Sequence, residues 1–75
     1  MLRLADLKVG ESGKIIKIAC GEKTIKRLAD LGVCVGVKIT LVRVSPFNDP
    51  LEIKARDFYL AIRRIEAKKI ILERL

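Results

Sequence analysis

Two runs of alternating apolar and polar residues, joined by a short loop, most constrain what this chain can fold into. The first run is VKITLVRV at residues 37–44, and the second is LEIKA at Leu51–Ala55. Period-two alternation is the pattern of a strand with one buried face. The loop SPFNDP at residues 45–50 is dense in residues that favour turns. The two runs and their loop therefore predict a β-hairpin.

The first of these runs changes phase within itself. Its apolar positions are first Val37, Ile39 and Leu41, and then Val42 and Val44. One extra residue in a strand of an antiparallel pair, a β-bulge, produces such a shift and kinks the strand. We therefore predict a bulge near Leu41.

Three further runs have the character of short strands. Residues 14–19 are rich in isoleucine and follow a glycine-rich turn, residues 58–62 alternate apolar and other side chains, and residues 70–72 are wholly apolar. Runs of this kind bounded by turn residues read as strands. Residues 65–68 are predicted to form a single helical turn. With the hairpin, the chain is predicted to contain five strands.

One segment has a helical period instead. Ile25, Leu28 and Ala29 fall at positions i, i+3 and i+4 within residues 22–31, which places them on one face of an α-helix. Gly32 follows where a left-handed residue often ends a helix. We predict one short amphipathic helix after the first strand, with these three apolar residues facing the core.

These elements define a fold class. A chain of 75 residues buries too little surface for two cores, so residues 1–75 are expected to form a single domain. Five short strands with regular turns and one helix predict a mainly β fold, a small barrel whose closure removes exposed strand edges.

Charge and hydropathy limit the classes of partner and the cellular location that we expect. The chain has 16 Lys and Arg against 9 Asp and Glu, a net charge of +7, which favours nucleic acid, an anionic membrane surface or an acidic protein face. Its apolar runs are far shorter than the roughly 20 residues that cross a bilayer, and the N-terminus lacks a secretory pattern. We expect a cytoplasmic protein with no membrane insertion, in which Cys20 and Cys34 are reduced thiols.

The sequence lacks the residues that several kinds of catalytic, metal and nucleotide site need. The sequence has no histidine, which removes Ser-His-Asp and Cys-His nucleophiles and the two-histidine iron site. Cys20 and Cys34 are much farther apart than the paired cysteines of structural zinc sites. Neither GxxxxGK[ST] nor GxGxxG occurs. We therefore expect no enzyme, no cofactor and no resident metal, with Cys20 packed as a small apolar group.

The remaining candidates for function are two contact surfaces. The first is the helix with its following loop. It carries the cations Lys23, Lys26 and Arg27, and beside them Val33, Cys34 and Val35, which are expected to be exposed. Such a mixture suits docking on a protein. The second is the hairpin tip at Phe47, for which the alternative is that the ring folds back to cap the barrel. Nucleic acid is the less favoured partner, because few aromatic residues are available to stack on bases.

Taken in order, these features resemble the ferrous iron transport protein A (FeoA) family. The resembling segments are LADLKVGESGKIIKI, RLADLGVCVG, VKITLVRV, DPLEIKARD and LAIRRIEAKKIIL, nearly the whole chain. The most specific part closes the helix, where the family usually reads Leu-Gly-aliphatic-any-Pro-Gly. Leu31, Gly32, Val33 and Gly36 fit that pattern, and Val35 stands in place of the proline.

The resemblance implies an SH3-like β-barrel in the cytosol that assists the membrane ferrous-iron transporter FeoB by contact with its cytosolic domain, without catalysis. The same domain occurs fused behind iron-dependent repressors, so a barrel that binds nucleic acid or serves a regulator is the alternative. A ferrous-iron chaperone using Cys20, Cys34 and carboxylates is a third hypothesis. Self-association into a homo-oligomer through a strand edge also stays open.

Overall fold

The computed structural model describes residues 1–75, and it contains six strands and two α-helices. The strands are β1 (Leu2–Arg3), β2 (Ser12–Ile18), β3 (Lys38–Val44), β4 (Leu51–Ala55), β5 (Phe58–Ile62) and β6 (Ile70–Arg74). The helices are α1 (Glu22–Asp30) and α2 (Arg64–Ala67), with 3-10 turns at Leu4–Asp6 and Pro46–Asn48. None of the helices has the length and apolar character needed to cross a membrane.

The strands form one antiparallel sheet in the order β1-β6-β2-β3-β4-β5. The sheet curls around a single core, because strands β2 to β6 and both helices all contribute to one cluster of 15 buried apolar residues. The dimensions of 28 × 26 × 25 Å are those of a rounded body rather than a flat sheet. The predicted mainly β barrel with one main helix after its first long strand is confirmed.

The predicted bulge in the first hairpin strand is also confirmed. Leu41 of β3 pairs with Ile53 of β4, but the next pair joins Arg43 to Glu52, so Val42 is the extra residue. The bulge turns the Val42 side chain outward, where it is exposed. This displacement explains the change of phase seen in the sequence.

The structure has one strand more than the five predicted, and this additional strand, β1, lies at the N-terminus. β1 pairs with β6 through Leu2 and Arg3 alone, and two residues are too few to show a period. The segment that follows nevertheless anchors the fold, since Leu4 and Leu7 are buried in the core.

The end of α1 is formed as predicted. The Gly32 N–H donates to the Ala29 carbonyl at 2.9 Å and the Val33 N–H donates to the Leu28 carbonyl at 2.7 Å. Gly32 itself is left-handed, with φ of +89°. This is the Schellman arrangement, in which the residue after the glycine also packs against the last turn of the helix.

The predicted apolar face of α1 is wrong in part. Leu28 is buried, but Ala29 is exposed and the Ile25 side chain is 37% exposed. The helix covers the barrel mainly through its C-terminal turn, so its N-terminal half stays in solvent.

The expected closure of the barrel is incomplete. The chain leaves β5 through α2 and returns as β6, which pairs between β1 and β2. β5 therefore has β4 as its one neighbour, and β1 and β5 remain as the edges of the sheet.

Candidate partner-binding site

The hairpin loop presents Phe47 to solvent. Its side chain is 99% exposed, so the alternative that the ring caps the barrel is wrong. The backbone at Phe47 and Asn48 is left-handed, with φ of 67° and 63°. The loop is closed by the Ser45 N–H, which donates to the Pro50 carbonyl at 3.1 Å. Phe47 is thus held away from the core by the shape of its own loop.

Arg64, at the start of α2, fixes this loop to the rest of the molecule. Its backbone N–H donates to Asp49 Oδ1 at 3.0 Å and its Nε donates to the Asn48 carbonyl at 2.7 Å. Its Nη1 lies 3.5 Å from the Ala5 carbonyl. Sequence reasoning missed this residue, because its partners lie far along the chain and no local pattern marks it. The loop that carries Phe47 is therefore anchored rather than free.

The three predicted cations of α1 are exposed, but they are not equivalent. Lys23 and Lys26 form no ion pair, whereas Arg27 Nη2 is bonded to Glu66 Oε2 of α2. That ion pair joins the two helices across the surface. Two of the three cations are therefore free to meet an acidic partner.

The loop after α1 is only partly as predicted. The expected exposure of Val33 is wrong, since its side chain is 0% exposed; the Schellman turn directs it onto the core beside Leu28. Cys34 is half-buried and packs against the core. Val35 is 61% exposed, as expected. Leu31, at the end of the helix, is also exposed and belongs to this surface although the sequence did not single it out.

A polar cleft connects the helix surface to the base of the hairpin loop. It has a volume of about 450 Å³ and is lined by Arg27, Asp49, Pro50, Ala61, Arg63 and Glu66. The two predicted surfaces therefore meet through Arg27 and the residues that follow Phe47. Ala61, Arg63 and Glu66 were not predicted, because β5, α2 and the residue between them are remote in sequence from both surfaces.

A second, smaller cleft lies on the outer face of the sheet. It has a volume of about 250 Å³, and its lining includes Lys38, Lys54 and Arg56 but no acidic residue. None of these three cations forms an ion pair. The Lys54 Nζ lies 5.8 Å from the centre of the Tyr59 ring, a distance at which an ammonium is attracted to an aromatic face.

Both cysteines are free, half-buried thiols. Burial raises the pKa of the Cys20 thiol above its usual value, although the nearby Lys69 charge acts in the opposite sense. A raised pKa leaves less of the reactive thiolate at neutral pH. The structure brings no three Cys, Asp or Glu side chains together as ligands for a metal ion.

Comparison with known proteins shows which family the chain belongs to. A family model described as the FeoA domain matches residues 2–74. The Fe(2+) transport protein A/Fe(2+) transporter FeoB fusion protein of Porphyromonas gingivalis is 31% identical over 72 residues, which are 96% of this chain. This chain spans only 8% of that protein's length.

Solved structures agree on the fold. The FeoA protein from Chlorobium tepidum superposes with a TM-score of 0.94 at 32% identity, covering 99% of this chain and 70% of that one. Stenotrophomonas maltophilia FeoA complexed with zinc, described as a procaryotic SH3 domain protein, gives a TM-score of 0.80 at 23% identity and covers 97% and 91%. The barrel is therefore SH3-like, and the chain belongs to the FeoA domain family.

Proposed function

We propose that this protein is a non-enzymatic accessory of ferrous iron uptake that acts in the cytoplasm by binding the cytosolic part of a FeoB-type transporter. The observation that carries the proposal is the fusion in the Porphyromonas relative, where a domain similar to almost all of this chain is joined to such a transporter. A fusion holds two parts at an effective concentration on the order of millimolar. Such an arrangement suits parts that work in contact.

The anchored hairpin loop supplies the central contact of the proposed surface. Phe47 is fully exposed and its loop is tied down by Arg64, so the ring meets a partner without first being ordered. Aromatic side chains held in this way dominate the binding energy of many interfaces. Phe47 is accordingly the residue whose removal weakens binding most.

The helix surface supplies charge and additional apolar contact. Lys23 and Lys26 are free cations, and Leu31 and Val35 expose apolar area beside them. Rim charges of one sign steer a partner of the opposite sign and make association sensitive to salt. The transporter face that fits this surface is acidic with an apolar pocket.

The test is a calorimetric titration of the transporter's purified cytosolic domain with this protein at low salt. Phe47→Ala should weaken binding by about tenfold or more, the usual effect of losing an aromatic anchor. Ile65→Ala is the matched control, because Ile65 is exposed but lies outside both surfaces, and its affinity should not change. The absence of binding by the unaltered protein would overturn the proposal.

One observation favours a second function, the binding of nucleic acid. The acid-free cleft of Lys38, Lys54 and Arg56 lies beside the exposed Tyr59, and cations with an aromatic neighbour suit a single strand. Binding of this kind weakens steeply with salt because counterions are released. A titration of fluorescent single-stranded DNA and RNA at two salt concentrations distinguishes the two functions.

A further inference from the structure

The outer edge of β5 is an unused pairing site. Ala55 and Phe58 flank the two-residue turn at residues 56–57 and pair directly, so they exchange both hydrogen bonds of a tight hairpin. Alternation along the strand then directs the backbone groups of Tyr59 and Ala61 away from β4. No turn, loop, cap or side-chain hydrogen bond uses these groups. Two donors and two acceptors therefore point outward from the edge.

This edge lacks the usual protection against pairing. Proteins blunt free edges with lysine, proline, a bulge or a very short strand. The sequence of β5 is FYLAI, with no charge and no proline, and its register with β4 has no bulge. The other edge, β1, is only two residues long. β5 is thus the edge of the sheet that is open to pairing with another strand.

The surroundings of the edge indicate which kind of strand would fit. Lys54, Arg56 and Arg63 flank β5 and form no ion pair. Of the nearby acids, Glu52 is bound to Arg43 at 2.8 Å and Glu66 to Arg27, while Asp57 in the turn and Asp49 in the cleft form no ion pair. Three unpaired cations therefore face two unpaired carboxylates near this edge, and an acidic segment complements the excess of positive charge.

The two faces of β5 carry different side chains. Phe58 and Leu60 point inward and are only half-buried, so a neighbouring strand would cover them with apolar side chains. Tyr59 and Ala61 point outward beside the cations. At the end of the strand, Ala61 and Arg63 line the 450 Å³ cleft, together with residues of both helices and of the hairpin loop. An extended segment can thus lie along β5 with its end in this cleft.

We propose that the β5 edge binds an extended acidic segment of a partner protein as a seventh strand, with apolar residues alternating with acidic ones. Main-chain hydrogen bonds to Tyr59 and Ala61 give affinity in this mode, and the alternate side chains give selectivity. The inference rests on the proposed function in so far as the partner is the transporter. A second copy of this chain fits less well, because each copy carries a charge of +7.

The first experiment uses the unaltered protein and a synthetic eight-residue peptide that alternates glutamate and valine. Amide hydrogen exchange is followed by NMR, and we expect slower exchange at Tyr59 and Ala61 when the peptide is bound. A peptide alternating lysine and valine is the control and should not bind. The inference would be overturned if the acidic peptide did not slow exchange at these two amides, or if the basic peptide bound equally well. Slowing that depends on protein concentration without peptide would assign the edge to a second copy and overturn it as well.

The second experiment uses variants of Ala61. Ala61→Pro removes the outward N–H without removing a bond to β4, since proline is tolerated at a strand edge. We expect it to weaken peptide binding by about tenfold, the effect of losing main-chain hydrogen bonds. Ala61→Thr keeps the N–H and should bind as before. Equal binding by the two variants, with folding checked by circular dichroism, would contradict the proposal.

The transporter's cytosolic domain separates this inference from the proposed function. Binding of that domain by Ala61→Pro with unchanged affinity would reject the edge as the contact for the transporter and leave the proposed partner in place. Binding of the acidic peptide at the edge, with no binding of the transporter domain, would reject the partner and leave the edge site in place.

Discussion

At the residue scale, backbone conformation separates two kinds of position. Gly32 and Gly36 are left-handed, which glycine adopts without strain. Phe47 is left-handed too, although a side chain makes that conformation unfavourable by roughly 1 kcal/mol or more. Because its ring contacts solvent only, nothing in the core explains why a phenylalanine stands there. The strain at Phe47 is consistent with a residue retained for contact with a partner.

Replacement of Phe47 tests that explanation. Phe47→Gly relieves the left-handed strain and removes no buried contact, so it should leave the free energy of unfolding unchanged or raise it by up to about 1 kcal/mol. The same variant should bind the transporter domain more weakly. Urea unfolding and calorimetry measure the two effects. A clear loss of stability would show that Phe47 serves the fold and would contradict the account.

Gly32 should be the more sensitive of two left-handed glycines. A Cβ at Gly32 would lie 2.6 Å from Phe58 Cζ, whereas a Cβ at Gly36 would meet nothing within 4 Å. Gly36→Ala therefore incurs only the backbone strain, about 1–2 kcal/mol, and Gly32→Ala adds about 1–3 kcal/mol of overpacking. Urea unfolding of both variants checks this order, and equal losses would contradict it.

At the element scale, the sequence predicted what local signals specify. The hairpin, its bulge near Leu41 and the end of α1 at Gly32 depend on neighbours along the chain, and all three are confirmed. The exposure of Ile25 and the free edge of β5 depend on how distant elements meet. No period in the sequence carries that information, so these features emerged only from the assembled fold.

The same limit applies to the candidate site. Phe47 was predicted because an aromatic in a turn has little core to fill, but its exposure was not settled by the sequence. Arg64, Ala61 and Arg63 were missed because they act across the gap between β5, α2 and the hairpin loop. Arg64 is one of 16 basic residues, and no local signal marks it as an anchor.

The turn before β2 gives a prediction about pH. The Lys8 backbone N–H donates to Glu11 Oε1 at 2.7 Å and Arg74 Nη1 lies 3.4 Å from Glu11 Oε2. The Lys8 hydrogen bond, and then Arg74, lower the pKa of Glu11 below its ordinary 4.5. A lowered carboxyl pKa stabilises the fold above the unfolded pKa, and the effect is lost as pH falls through the folded value.

Glu11→Gln tests this coupling. At neutral pH the variant should be less stable than the unaltered protein, because the carboxylate that accepts from Lys8 and faces Arg74 is absent. The difference should shrink as pH falls below the ordinary Glu11 pKa of 4.5 and disappear once the carboxyl is protonated. Urea unfolding across this range measures it. A difference of the same size at neutral and acidic pH would contradict the assignment to Glu11.

At the scale of the whole molecule, charge is the property that joins the proposed surfaces. Three ion pairs engage only Arg27, Arg43 and Arg74 among the cations, so most of the +7 charge is free. Lys23 and Lys26 lie on the helix surface, while Lys54, Arg56 and Arg63 lie near β5. Association with an acidic partner should therefore weaken as salt screens these charges.

The most direct test of the central claim is an NMR titration of the isotope-labelled protein with the transporter's cytosolic domain at low salt. Amide signals should change at Phe47, along the helix surface from Lys23 to Val35, and at Tyr59 and Ala61 on the β5 edge. A spectrum that the transporter domain leaves unchanged, or changes confined to the cleft of Lys38, Lys54 and Arg56, would contradict the central claim.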